Sequence, residues 1–387
     1  MNPNKLLIDV GSTYFKLCSS GKLEQHFRNF NKSILDDLND KCRQTIQQFA
    51  PENIYICSSA NGGLSALIIG LTHSFSVKYA TNIALNSGIN IIDTILYQDI
   101  EKASVPSDLI DVVIVVGGID SKSNVFGESL YKYLSQVNYS NVVYVGNIQD
   151  GAQVKSNLQN IAILPNIIDD RLHIVEEDLR NYLTNLYQLT KNQIYSTPYI
   201  VNRTLPLIDA KFSVVNPFIL LDIGGATTDI HYSKDLVIDN LVTENEFDRV
   251  VFKKLGVYKS RDSLIFVARK NEFVGELLMH LNVTENIFDE FSEKATRILM
   301  QLSIFLVLCK MSHYRSEYIN LKLLAINSIV LTGGITKVLK LEEVEDIISF
   351  FYKKILTSAH RPIAIMDNDY AIWTLGSGIQ LENHNQQ

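Results

Sequence analysis

The sequence predicts an α/β protein built from two related halves, and three observations carry that prediction. Short apolar runs alternate with amphipathic helical stretches, an acidic strand end is followed by a glycine turn at Asp9 and again at Asp222, and a glycine pair follows a third buried run at Gly333-Gly334. Alternation of this kind is the pattern of parallel βαβ units, and a recurring strand–turn–strand signature implies internal duplication.

Bulk composition sets the frame. The chain has 387 residues, 46% hydrophobic and 20% charged, an ordinary globular make-up for a chain long enough to divide into two or three packed units. Its 35 basic and 42 acidic residues leave a net charge of −7, and no basic block tracks a phosphate backbone, so nucleic acid is not an expected partner. Cys18, Cys42, Cys57 and Cys309 are scattered without CxxC spacing, which argues against a zinc site or a disulfide framework. The opening Met-Asn-Pro-Asn-Lys runs directly into a strand-like segment, and the longest apolar runs fall short of the ~20 residues that span a bilayer. A cytoplasmic protein with no membrane contact is expected.

Taken in order, Lys5–Val10 reads as a buried strand, Thr13–Ser19 as a second after a tight turn, Lys32–Phe49 as a helix stopped before Pro51, and Asn53–Ser58 as a further strand. Between residues 62 and 183, the β-rich runs Asp111–Val116, Asn141–Val145 and Ile161–Leu164 alternate with helical stretches around Tyr79–Ser87, Gly127–Gln136, Gln149–Asn157 and Glu176–Tyr187. A fresh start comes at Phe218–Ile223 and Thr228–Tyr232, followed by a long helix over Asp289–Lys310, a strand over Asn327–Thr332, a helix over Leu341–Lys354 and a last helix near Tyr370–Gln380. The expected division is a first lobe over 1–212, carrying an inserted α/β segment at about 62–183, and a second lobe over 213–387.

The turns carry the chemistry. In Leu6-Leu7-Ile8-Asp9-Val10-Gly11-Ser12-Thr13-Tyr14-Phe15-Lys16 an acidic residue ends a buried strand and a glycine opens the return. Such a hairpin points successive N–H groups into one concavity suited to phosphate oxygens, with Ser12, Thr13 and Lys16 adding hydroxyls and a positive charge. A carboxylate beside phosphates is repelled unless a divalent cation intervenes, so Asp9 and its counterpart Asp222 are the expected holders of Mg²⁺ through water. The second turn, Asp222-Ile223-Gly224-Gly225-Ala226-Thr227-Thr228, repeats the design, and Gly333-Gly334-Ile335-Thr336-Lys337 lets a flat base and its ribose approach the main chain. A single Asp-x-Gly is more often a plain hairpin; two of them about two hundred residues apart are harder to dismiss.

The combination resembles the actin-like ATPase superfamily of sugar kinases, heat-shock chaperones and actin. That resemblance implies a duplicated ribonuclease H-like fold with two lobes around a central nucleotide cleft, ATP or ADP with Mg²⁺ as ligands, and Asp9–Lys16, Asp222–Thr228 and Gly333–Lys337 as the two phosphate loops and the adenosine loop. Narrower wording points further. Cys57-Ser58-Ser59-Ala60-Asn61-Gly62-Gly63-Leu64, Val115-Val116-Gly117-Gly118-Ile119-Asp120, Val145-Gly146-Asn147, Ile163-Leu164-Pro165-Asn166, Thr197-Pro198, Gly224-Gly225-Ala226-Thr227-Thr228-Asp229-Ile230-His231 and Asp367-Asn368-Asp369-Tyr370 together resemble the MutL family of glutamate mutase activators. This likeness implies an ATP-binding, ATP-hydrolysing activator or reactivating chaperone whose partners are the subunits of an adenosylcobalamin-dependent mutase.

Three further residues bear on the site. Asp120 follows a glycine pair at a strand end, where ligand sites of α/β sheets gather, and is a candidate for orienting the attacking water or facing the partner; a surface turn aspartate is the competing reading. His231 reads as a structural hydrogen-bonding residue. Phe15 departs from the family pattern: facing the pocket it weakens phosphate binding, facing the core it is harmless. The alternatives are a small-molecule kinase of the same superfamily and an actin-like filament-forming ATPase.

Overall fold

The computed structural model describes residues 5–59, 63–120, 125–169, 173–190, 194–237, 247–252, 255–312 and 321–384. The Ala60-Asn61-Gly62 portion of the segment quoted above lies outside them. Two compact units are present, one of residues 1–60, 200–238 and 247–387, the other formed mainly by residues 61–199.

The first unit contains two sheets of one design. Strands β1 (Leu6–Val10), β2 (Tyr14–Ser19), β3 (Lys22–Phe27) and β4 (Ile54–Ser58) run in the order β4-β1-β2-β3. β1 is antiparallel to β2, with Asp9 opposite Lys16, and parallel to β4. All five β1 residues are buried, as expected of a central strand covered on both faces. β3 was not legible as a strand, because Lys-Leu-Glu-Gln-His-Phe sits at an edge with most of its side chains in solvent and shows no apolar run. The helix Ile34–Ile46 crosses from β3 to β4, its start capped by the Ser33 hydroxyl accepting from the Asp36 amide.

In the second unit of 61–199, β5 (Ser65–Gly70), β6 (Asn90–Leu96), β7 (Ile110–Val116), β8 (Tyr139–Tyr144) and β9 (Ile161–Ile163) form a fully parallel sheet ordered β6-β5-β7-β8-β9. Helices Lys78–Asn86, Glu128–Leu134, Ile148–Asn157 and Glu177–Thr190 intervene or follow. Apolar clusters lie on both sides of it, with Ala66, Ile68, Val112 and Ile114 in one and Leu67, Ile69, Val113 and Val115 in the other. This is a doubly wound sheet whose order reverses between β5 and β7. The chain then passes through the two-residue strand β10 (Tyr195–Ser196).

Back in the first unit, β11 (Phe218–Ile223), β12 (Thr228–Ser233), β13 (Phe247–Phe252), β14 (Ser328–Thr332) and β15 (Ile363–Met366) run in the order β13-β12-β11-β14-β15. β11 is antiparallel to β12, with Asp222 opposite Asp229, and parallel to β14. The order matches that of the first sheet strand for strand: β11 takes the place of β1, β12 of β2, β13 of β3 and β14 of β4. The protein has a duplicated ribonuclease H-like fold of the actin type.

Each half has its own core. In the first, Leu6, Ile8, Val10, Phe15, Leu17, Leu38 and Cys42 pack together. In the second, Ile219, Leu221 and Ile223 pack with Leu302, Phe305 and Leu306 of the helix Glu293–Ser312. That helix is long and apolar enough to cross a membrane, and most of it is buried inside the second half, as expected of a core helix hydrophobic all round.

Candidate functional site

Three glycine turns converge in the first unit. The first two close alike: the Gly11 amide donates to the Tyr14 carbonyl at 2.9 Å, and the Gly224 amide to the Thr227 carbonyl at 2.9 Å. They lie against each other, since a Cβ on Gly225 would stand 2.2 Å from the Thr13 hydroxyl. The third turn meets the second. Gly333 has φ +88°, and a Cβ there would lie 2.6 Å from Asp222 Oδ1, so this position needs both glycine's freedom at positive φ and its missing side chain. The segment Gly256–Ser260 braces the second turn. Tyr258 and Lys259 amides donate to the Gly225 carbonyl at 2.9 and 2.7 Å, and the Ser260 hydroxyl donates to the Ala226 carbonyl at 2.6 Å.

A charge cluster occupies the space these turns enclose. Lys16 Nζ lies 2.9 Å from Asp9 Oδ2, and the Cys57 thiol points to Asp9 Oδ1 at 3.6 Å. Burial alone would pull the Lys16 ammonium down, but attraction by Asp9, Asp222 and Tyr370 outweighs it and holds the group above its ordinary range. Asp222 goes the other way. Dense protein around its carboxyl, with repulsion by Asp229 and Asp9, pushes it up to about 7 against the pull of Lys16 and Arg249. Asp229 accepts from Arg249 Nε at 2.7 Å and from the Thr227 hydroxyl at 3.2 Å. Three acidic groups, Asp9, Asp222 and Asp229, thus face two cations, Lys16 and Arg249, and with all three ionised the cluster would be short of positive charge.

A divalent cation suits that shortage. Among the described residues no group of three or more His, Cys, Asp or Glu forms a ligand set, so a cation here would rest on the Asp9 and Asp222 carboxylates and complete its shell with water and phosphate oxygens, as Mg²⁺ characteristically does.

The remaining expected site residues fall in several places. Ser12, Gly334 and Ala226 are partly exposed. Thr228 turns inward, its hydroxyl donating to the Leu255 carbonyl at 3.0 Å. The Lys337 ammonium donates to the Asn368 carbonyl and lies 5.0 Å from the centre of the Tyr370 ring. Asp120 belongs to the other unit, where its carboxylate accepts from the Ile148 amide at 3.0 Å and from Asn166 Nδ2 at 3.2 Å, beside the start of the helix Ile148–Asn157. His231 is fully buried, bonded through Nδ1 to Asn202 at 3.2 Å, and burial holds it neutral. Phe15 is fully buried in the core of the first half, so it takes no part in the phosphate concavity.

Tyr370 was missed by motif reasoning. Its ring is 2% exposed, sits 4.7 Å from Lys16 Nζ as well as near Lys337, and its hydroxyl is hydrogen-bonded by the Gln25 side chain. Gln25 is the cross-strand neighbour of Lys16. The ring therefore links the first half to the third turn. Behind it, Asp367 starts the last helix, accepting from the Ala371 and Ile372 amides at 2.7 and 3.1 Å and from the Thr332 hydroxyl at 2.9 Å. The signal available in the sequence was the Asp367-Asn368-Asp369-Tyr370 wording, which read as family likeness rather than as chemistry.

Comparison with known proteins sets this geometry in a family. The chain is similar to Protein MutL of Clostridium tetanomorphum, 23% identical over 266 residues, a match that spans 59% of this chain and 58% of that protein. Among solved structures it is similar to the activator of 2-hydroxyisocaproyl-CoA dehydratase from Clostridium difficile with bound ADPNP, at 9% identity, 99% and 97% coverage and a TM-score of 0.33. It is also similar to component A of (R)-2-hydroxyglutaryl-CoA dehydratase from Acidaminococcus fermentans, at 9% identity, 99% coverage of both chains and a TM-score of 0.32. Likeness at these scores adds nothing to the strand orders, on which the fold assignment rests. A family model described as MutL protein matches residues 5–301, well over half the chain and including the first two glycine turns, and the chain belongs to the MutL family.

Proposed function

We propose that this protein binds Mg·ATP or Mg·ADP between its duplicated halves and acts as an ATP-hydrolysing activator, or reactivating chaperone, of an adenosylcobalamin-dependent mutase such as glutamate mutase. The observation that carries the nucleotide part is the convergence of three glycine turns on one charge cluster: Gly225 against Thr13, Gly333 against Asp222, and Lys16 between Asp9 and Tyr370. Lys16 supplies a fixed positive charge. Gly11, Ser12, Thr13, Gly224, Gly225, Ala226 and Thr227 offer amides and hydroxyls to phosphate oxygens, and Gly333, Gly334 and Lys337 border the nucleoside end. When bound, Mg²⁺ neutralises phosphate charge and draws density from the terminal phosphorus. Asp9 and Asp222 are the residues that would hold that ion.

Family membership supports the mutase part. A radical enzyme that encloses adenosylcobalamin tightly also retains the cofactor once its cobalt–carbon bond is lost. An ATPase whose two lobe positions grip such an enzyme differently can open it for exchange, hydrolysis resetting the grip. The setting is cytoplasmic on this reading, and the unit of residues 61–199, which holds none of the three turns, is assigned to partner recognition.

Two experiments test these parts separately. Thermal unfolding with Mg·ATP and Mg·ADP should show stabilisation that Asp9→Ala and Asp222→Ala abolish; stabilisation surviving both changes sinks the site. Adding the protein, ATP and fresh adenosylcobalamin to a mutase inactivated by damaged cofactor should restore turnover, and no recovery across several such mutases removes the chaperone assignment.

A further inference from the structure

Four aromatic rings gather at the surface of the first unit, where the chemistry above leaves them unused. Tyr14, Phe27, Phe30 and Tyr258 are between 39% and 51% exposed. Phe27, the last residue of β3, is the hub: its ring centre lies 5.3 Å from that of Tyr14 and 5.7 Å from those of Phe30 and Tyr258, edge to face in each case. Phe30 and Tyr258 close the cluster at 6.0 Å. These are the separations of aromatic pairs in contact, so the rings make one continuous apolar surface. Exposed apolar side chains scattered singly call for no explanation, whereas a contiguous group of them marks a place where something docks.

Both halves build this surface. Phe30 lies between β3 and the helix Ile34–Ile46, and Tyr258 holds the equivalent place in the second half, between β13 and the helix Arg261–Lys270. The surface also has a sign. The exposed Lys259 ammonium lies 5.0 Å from the centre of the Phe30 ring, and the Arg28 guanidinium lies 5.8 Å from it. The one charge that acts appreciably on Lys259 is the repelling Arg28. Arg28 in turn is drawn by Asp37, an acid already held by Lys41 at 2.9 Å. An apolar surface edged by a cation with no acid of its own is complementary to a segment that is apolar and acidic.

We propose that Tyr14, Phe27, Phe30 and Tyr258 form a docking surface for a partner protein, and that its occupant is a segment carrying apolar side chains beside a carboxylate. The rings take the apolar side chains, as aromatic residues do at the centres of protein interfaces, and Lys259 at the edge meets the carboxylate. A segment seated here touches both halves at once. None of the residues assigned above to nucleotide or metal belongs to the surface. That the partner is the mutase rests on the reading above; the chemistry of the surface does not.

The test uses the full chain, purified subunits of an adenosylcobalamin-dependent mutase, and two synthetic peptides, one pairing leucines with glutamates and the other leucines with lysines. Binding is followed by titration. The chain's net charge is −7, so unspecific attraction favours the lysine peptide; the wild type should instead prefer the glutamate peptide. Phe27→Ser and Phe30→Ser should each weaken binding of that peptide, and of the mutase, by about tenfold or more, while leaving nucleotide-induced stabilisation as in the wild type. Lys259→Glu should reverse the preference between the peptides. Phe266→Ser, which removes a ring 59% exposed but outside the cluster, should bind as the wild type does. If the glutamate peptide binds through the rings and no mutase binds, the mutase reading fails and the surface stands. Neither peptide nor mutase binding, unchanged binding in both ring variants, or a preference for the lysine peptide overturns the surface. Sedimentation that finds the wild type paired and Phe30→Ser monomeric overturns the occupant in favour of a second copy. Lys259→Glu, at an exposed position, decides the matter should the ring variants not fold.

Discussion

With its carboxyl pushed up to about 7, Asp222 holds its proton more tightly in the folded chain than in the unfolded one. The folded state therefore binds the extra proton between the ordinary carboxylate range, near 4, and about 7, and this group withdraws stability as pH rises through that window, with no further loss above it. The charges facing it are Asp229 and Arg249 from β12 and β13, Lys16 from β2 and Asp9 from β1. In the nucleotide- and metal-free protein, Asp222→Asn should flatten the fall in unfolding temperature between pH 4 and 7 and leave the variant more stable than wild type at pH 8; parallel curves for the two would show that Asp222 ionises freely. Phe15 gives the opposite kind of test. Because its ring fills the core of the first half, Phe15→Thr should destabilise by about 3 kcal/mol, through lost burial and a hydroxyl placed among apolar groups, and should not tighten nucleotide binding; denaturant unfolding and titration read the two effects. The sequence left this residue's direction open because alternation alone does not say which face of a two-sided sheet is the pocket. Leu6, Ile8, Leu17 and Leu38 around it decide the matter.

At the scale of elements, the hairpins at Asp9 and Asp222 were legible because a buried apolar run, an acid and a glycine in fixed order leave few alternatives to a tight return. The bracing segment Gly256–Ser260 was not, since it contributes mainly backbone amides. Gly256 is where that brace is most vulnerable: a Cβ there would stand 2.2 Å from the Ala226 carbonyl carbon, and backbone cannot swing aside as a side-chain tip can. Gly256→Ala should cost about 1–3 kcal/mol and weaken any nucleotide-induced stabilisation, whereas a substitution at Gly275, whose added Cβ meets nothing within 4 Å, should not touch that response. Tyr370 ties different elements together. Its two cation contacts are each worth about 0.5–2 kcal/mol, so Tyr370→Leu should lower stability by about 1–3 kcal/mol, and Tyr370→Phe, which keeps the ring, by less. Trp373, the chain's one tryptophan and 3% exposed three residues further on, reports the unfolding by its own emission. Equal losses in the two variants would assign the effect to the Gln25 hydrogen bond instead of the ring.

For the molecule as a whole, the duplication was visible as two turns, and the strand orders make it a property of entire sheets. What sequence pattern conveyed poorly was the extent of the intervening unit. β5 and β6 flank the helix Lys78–Asn86 with little alternation to mark them, and the doubly wound order of that sheet exists only in the pairing of β5 with both β6 and β7. Two-sided apolar packing of this kind commonly supports independent folding, so a fragment of residues 61–199 should unfold cooperatively by itself and leave nucleotide binding to the rest of the chain. Non-cooperative melting of the fragment would show that its sheet depends on the remainder.

The register of the two equivalent hairpins carries a last consequence. Asp9 faces Lys16 across its turn, while Asp222, at the matching position, faces another aspartate, Asp229. One repeat is neutralised from within by its own returning strand; the other draws Arg249 from β13 and leans on Lys16 of its sibling. The repeats have thus diverged into donor and recipient of charge, and a chain holding only the second would fold around an acidic centre with no lysine to calm it. Whatever ancestral unit was doubled, the present halves no longer form two copies of one machine but a single electrostatic circuit that closes only when both are there.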